Sequence, residues 1–172
     1  MTQNIQNNSP EQPEKFVVVA MGASAGGLQP LEEFFTNLPN NPGAAFVVLQ
    51  HLSPDFPSLM PELIQRCTSM QVQSIKDGMQ LHPNYIYVLP PRHILTVEND
   101  CLRLEEHPSE RVNHPINIFF KSLATEWGEK VIGILLSGAG NDGTEGLQAI
   151  SQKGGVALVS VPRNRPIHEY AE

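Results

Sequence analysis

The sequence predicts an α/β fold: a doubly wound, mostly parallel sheet with a small antiparallel hairpin insertion. Three observations carry that expectation. Short, continuous apolar runs at 16–21, 45–49, 131–136 and 156–159 have the character of strands buried on both faces. Segments with helical spacing stand between them. In the middle of the chain, shorter alternating runs are broken by Pro90-Pro91 and by Glu98-Asn99-Asp100, which reads as a hairpin region inside the α/β frame.

Residues 1–14 are rich in Asn, Gln and Pro and read as a disordered tail, leaving 15–172 as one domain. A strand at about 16–21 leads into a helix at about 28–38, whose apolar residues Leu28, Leu31, Phe34, Phe35 and Leu38 recur at helical spacing. Asn40-Asn41-Pro42-Gly43 marks a turn before the strand at 45–49. A loop over 51–57 precedes a helix at about 58–68, with Ser58 as its candidate N-cap. Short strands follow at 85–89, 94–97 and 102–104. A helix at about 115–127 carries Ile116, Phe119, Phe120 and Leu123 on one face. The strand at 131–136 runs into the glycine-rich turn Ser137-Gly138-Ala139-Gly140-Asn141-Asp142-Gly143. A helix at about 144–153 then ends at Gly154-Gly155, before the strand at 156–159.

Composition narrows the partners. The 172 residues carry a net charge of -7 with no cluster of Lys and Arg, which argues against nucleic acid. No apolar run approaches the roughly 20 residues that span a bilayer, and the polar first 14 residues hold no leader-like core, so a cytoplasmic protein without membrane insertion is expected. Cys67 and Cys101 fit neither a disulfide framework nor a metal site and read as reduced thiols. The six histidines show no ligand spacing, so no metal is expected.

Chemistry enters at Gly22-Ala23-Ser24-Ala25-Gly26, which matches the G-x-S-x-G nucleophile-elbow pattern at the end of an apolar strand. The glycines allow a tight strand-to-helix turn that presents the serine hydroxyl. A serine alone is a weak nucleophile, so a base and an acid should lie elsewhere. Two other polar residues follow strand ends: His51 after the strand at 45–49, and Asp142 after the strand at 131–136. A parallel sheet brings all three ends to one edge. There Ser24 would attack an acyl carbon, His51 would move its proton, and Asp142 would orient His51. Backbone N–H groups at Ala25 and Ala139 are candidate oxyanion donors.

Other readings stand beside this one. The Gly-rich turn could be structural or cradle a phosphate, His51 could serve a loop, and Asp142 reads equally well as turn chemistry or a helix N-cap. A dinucleotide fingerprint is less apt. Ser24 replaces its second glycine, and Gln50-His51 stands where an acid should end the second strand.

In these residues the chain resembles the catalytic domain of the chemotaxis protein-glutamate methylesterases, the CheB family. The resemblance spans about residues 16 to 159. It rests on Gly22–Gly27, Gln50-His51, Asp77-Gly78, the 87–93 segment Tyr-Val-Leu-Pro-Pro-Arg-His, and above all the 136–146 segment. It implies a triad of Ser24, His51 and Asp142 that hydrolyses glutamate γ-methyl esters on the cytoplasmic helices of methylated chemoreceptors. Some members also deamidate receptor glutamine. No cofactor is implied, and Arg92 and His93 become candidates for holding an acid-rich substrate.

Four features depart from the common family pattern. Only 14 residues precede the first strand, so a receiver domain is not expected ahead of it. The forms at 24–27 and 90–93 look more like modules fused to methyltransferase and sensor domains. Ala25 and Ala139 replace side chains common in the family, which a backbone N–H role tolerates. After residue 159 the closing helix of the family is not evident. The expectation is a domain truncated at its C-terminus, with an exposed apolar face costing about 25 cal/mol per Å². The alternative function is therefore a non-catalytic module that binds receptor or partner helices.

Overall fold

The computed structural model describes residues 15–24, 27–50, 58–107, 114–136 and 141–160. The expected tail at 1–14 lies outside them, as does everything after Ser160.

Among the described residues, eight strands and four α-helices follow one another: β1 (Val18–Ala23), α1 (Leu28–Thr36), β2 (Ala45–Gln50), α2 (Met60–Gln65), β3 (Gln71–Ser74), β4 (Tyr85–Val88), β5 (His93–Glu98), β6 (Cys101–Glu106), α3 (Pro115–Trp127), β7 (Val131–Leu135), α4 (Thr144–Gln152) and β8 (Val156–Val159). Six strands form one sheet in the order β3-β4-β2-β1-β7-β8. All its pairings are parallel. The predicted α/β class and an antiparallel pair, β5 with β6, are both present, but the 85–89 run expected in the hairpin region is β4 of the parallel sheet, between β3 and β2, because its apolar residues are buried on both faces of that sheet.

The central strands are apolar at almost every position because both faces are covered. Along β1, Val18 and Ala20 join the cluster under α3 and α4, while Val19, Met21 and Ala23 join the cluster under α1 and α2. β2 alternates in the same way, Val47 and Leu49 on one side, Phe46 and Val48 on the other. Phe35 of α1 packs edge-on to Phe46 at 5.7 Å between ring centres. On the opposite face Ile116, Phe119, Phe120 and Leu123 of α3 are all fully buried. None of the described helices is long and apolar enough to cross a membrane.

Several boundaries differ from the sequence reading, each for a local reason. β1 runs two residues later than expected, so Gly22 lies inside the strand, paired with Leu49 and Leu135, and not in the turn. Its lack of a side chain serves packing, since a Cβ there would stand 2.8 Å from Ile116 Cγ2. α2 is short. Its N-cap is Leu59, although Ser58 Oγ still accepts a hydrogen bond from Met60 N at 3.2 Å. β3 escaped the sequence reading because Gln-Val-Gln-Ser has almost no apolar signal; among the described residues it is an edge strand, paired with β4 alone.

The hairpin turn is a two-residue one. Asn99 and Asp100 both take left-handed φ, 51° and 60°, the geometry that lets twisted strands reverse tightly. Asp77-Gly78 fastens the hairpin to the main body. Asp77 Oδ1 accepts from Leu104 N at 2.9 Å, and Gly78 N donates to Leu102 O at 2.9 Å.

Candidate active site

The sheet order places the switch point of the winding at β1. The chain leaves β1 toward β2 and later returns to β7 on its other side. Open α/β sheets gather their functional groups outside the carboxyl ends of strands at such a point. Ser24 directly follows β1, and Asp142 lies in the turn that follows β7.

Ser24 is held through its backbone. Its carbonyl accepts from Gly27 N at 2.8 Å, which closes the turn, and from Gln50 Nε2 at 3.3 Å, which ties the turn to the end of β2. A Cβ on Gly27 would fall 2.4 Å from Ala23 Cβ, so only glycine permits so sharp a return of the chain. Gln50 Oε1 is buried with no hydrogen-bond partner among the described residues.

Asp142 is the more deeply set group, with only 5% of its surface exposed. Its Oδ2 accepts from Ile116 N at 3.0 Å and its Oδ1 from Asn117 N at 2.9 Å. These are unsatisfied donors of the first turn of α3, and the helix dipole there favours a carboxylate. Asp142 is not the N-cap of the helix that follows it; its carboxylate instead satisfies the start of α3. The cap residue of α4 is Gly143, at φ 101°. A side chain on Gly143 would meet Leu135 Cδ2 at 2.4 Å and Ile116 Cγ2 at 3.0 Å, the same two side chains that crowd Gly22. The acid-bearing turn and the end of β1 therefore converge on one pair of side chains.

Two further residues belong to this neighbourhood and were missed from sequence. Asn117 is buried, and its Oδ1 accepts from Gly143 N at 2.9 Å and Gly146 N at 2.8 Å. The signal that could have found it is a polar residue set among the apolar positions of α3. His114, at φ 55°, brings Nδ1 to 3.9 Å from Asp142 Oδ1. On the outer side, Lys121 and Glu145 pair across α3 and α4. The hydrogen bond and charge of Lys121 hold the Glu145 carboxyl below the usual carboxylate range.

His51, Ala25 and Ala139 lie outside the described residues. Arg92 and His93 are described and sit past the end of β4, separated from β1 by β2. Arg92 is exposed with a left-handed φ of 63°, a strained backbone for an arginine. His93 Nδ1 stands 2.7 Å from Pro91 O, so this nitrogen carries the proton and donates.

A family model described as CheB methylesterase matches residues 19–168. The chain belongs to the CheB methylesterase family. Among relatives of this CheB-type chain, a protein-glutamate methylesterase/protein-glutamine glutaminase 2 of Pseudomonas aeruginosa is 35% identical over 147 residues, covering 82% of this chain and 42% of that protein. Its namesake in Methanospirillum hungatei is 34% identical over 145 residues, covering 83% and 41%. The chain thus spans less than half the length of these relatives. The crystal structure of the Thermotoga maritima CheB methylesterase catalytic domain aligns with a TM-score of 0.74 at 27% identity, covering 83% of this chain and 78% of that one.

Proposed function

We propose that this chain hydrolyses glutamate γ-methyl esters on the cytoplasmic helices of chemoreceptors, with Ser24 as nucleophile, His51 as general base and acid, and Asp142 as the group that orients His51. The observation that carries this reading is the placement of Ser24 and Asp142 past adjacent strand ends at the switch point, in a chain of the CheB methylesterase family. Ser24 Oγ attacks the ester carbonyl as His51 takes its proton. The tetrahedral oxyanion is stabilised by backbone N–H groups at Ala25 and Ala139, and collapse expels methanol, protonated by His51. Water, activated by His51, then cleaves the glutamyl ester on Ser24 and frees the γ-carboxylate. The same acyl-enzyme forms from glutamine with ammonia leaving, in keeping with the second activity in the relatives' names. The reaction needs no cofactor, and it belongs in the cytoplasm, where these receptor helices lie. Arg92 and His93 meet the acidic surroundings of the target residue.

The test is methanol release from a carboxyl-methylated receptor fragment by this chain and by Ser24→Ala. The variant is expected to lose at least about 10³-fold in rate, because triad groups act as a unit. Equal rates would remove Ser24 from the mechanism.

A second reading is a module that binds receptor or partner helices without turnover. It is favoured by the exposed apolar residues of β8. Receptor binding without covalent labelling of Ser24 by a fluorophosphonate would select it.

A further inference from the structure

The turn that carries Asp142 is fixed by an exchange of caps between two helices. Asp142, just before α4, accepts from the backbone N–H groups of Ile116 and Asn117 in α3. Asn117, in the first turn of α3, accepts through Oδ1 from Gly143 N and Gly146 N at the start of α4. All four bonds are buried and lie between 2.8 and 3.0 Å. Asn117 thus takes part at both ends: its backbone N–H holds the carboxylate, and its side chain holds the turn from which the carboxylate projects. A helix N-terminus can be capped locally by Ser, Thr, Asp or Asn at its own cap position. Here the cap position of α4 is Gly143, which has no side chain, so the cap comes from α3.

The consequence is geometric. Each carboxylate oxygen of Asp142 already accepts one backbone N–H, which fixes the plane of the carboxylate and the direction of its remaining lone pairs. Those lone pairs are what an orienting acid offers to an imidazole. A shift of the turn by a fraction of an ångström would misdirect them.

We propose that Asn117 is a positioning residue for hydrolysis: it holds the Asp142 turn in register with α3 so that the carboxylate can orient the catalytic base. This rests on the reading of Asp142 as the acid of the triad. In the Asn117→Ala variant, Gly143 N and Gly146 N lose their acceptor while the nucleophile, the base and the acid remain. The kcat for methanol release from a carboxyl-methylated receptor fragment is expected to fall about a hundredfold, with KM within about twofold of the parent. Asn117→Asp keeps an acceptor oxygen at the same place and should return kcat to within about tenfold of the parent. Because Asn117 acts through Asp142, the double variant Asp142→Ala/Asn117→Ala should be no slower than Asp142→Ala alone.

Full kcat in a folded Asn117→Ala protein overturns the proposal, as does an Asp variant no faster than the Ala variant, or a double variant slower by the product of the two single effects. If Asn117→Ala does not fold, the Asp variant and Asn117→Ser, a shorter acceptor, decide the matter by whether kcat follows acceptor reach while KM stays constant. Asp142→Ala separates the two levels of failure. If Asp142→Ala is inactive while Asn117→Ala turns over normally, only the positioning role falls. If Asp142→Ala turns over normally, or the parent releases no methanol, the reading of the acid falls and the positioning role with it.

Discussion

Tyr87 shows how a single polar atom is managed inside this core. Its ring is fully buried, and its hydroxyl accepts from His82 N at 2.9 Å and donates to Gln80 O at 3.2 Å. Burial pushes its phenol above the usual 10.0, more than the hydrogen bond from His82 lowers it. The native protein therefore keeps a proton that the unfolded chain gives up, so this contribution to stability is complete below pH 10 and declines as the pH climbs through the raised value. Tyr87→Phe should cost about 1–3 kcal/mol at neutral pH, since two buried backbone groups lose their partner. It should also flatten the alkaline fall in stability; urea melts at several pH values measure both. Gln50 is the contrasting case. Its Nε2 holds the Ser24 carbonyl, while its buried Oε1 has no hydrogen-bond partner among the described residues.

Between elements, the tight contact is that of α3 with α4. Gly146 makes it possible: a Cβ there would stand 2.5 Å from Phe120 Cβ, an atom fixed to the backbone of α3. Gly146→Ala should therefore force the helices apart and cost about 1–3 kcal/mol, despite the better helix propensity of alanine. Thermal unfolding reads the cost. Amide exchange at Gly143, whose N–H is held by Asn117 across the same contact, should accelerate along with it. A stability unchanged by the substitution would mean that the two helices slide past each other more freely than their buried contacts imply. The Lys121–Glu145 pair on the outside of this contact is exposed and adds little by comparison.

For the molecule as a whole, the uneven feature is the β8 edge of the sheet. Val156 and Leu158 are each 48% exposed and Val159 is 60% exposed, whereas β1 at the centre is buried throughout. Among the described residues β8 pairs only with β7. An apolar edge of this kind promotes association. The isolated chain is expected to self-associate with rising concentration in light scattering. Leu158→Lys should suppress that association while shifting stability by no more than about 0.5 kcal/mol, as surface substitutions do. Association unaffected by the lysine would place the sticky surface elsewhere.

The chain by itself determined the α/β class, the hairpin, the span of α3, the position of Ser24 after β1, and the family, because apolar periodicity and glycine-bearing motifs are local signals. Local signals failed where the cause lay elsewhere in space. β3 is a strand because β4 offers it a ladder and not because Gln71–Ser74 prefers one. Gly22 looked like a turn glycine and is a packing glycine, because the atom that needs the room, Ile116 Cγ2, belongs to a helix far along the chain. Asp142 reads from sequence as a cap for the helix after it, yet its carboxylate satisfies the start of α3. The exchange of caps between Asp142 and Asn117 could be decided only by the tertiary structure, since the two residues are 25 apart in sequence and meet only when the sheet brings the starts of α3 and α4 together.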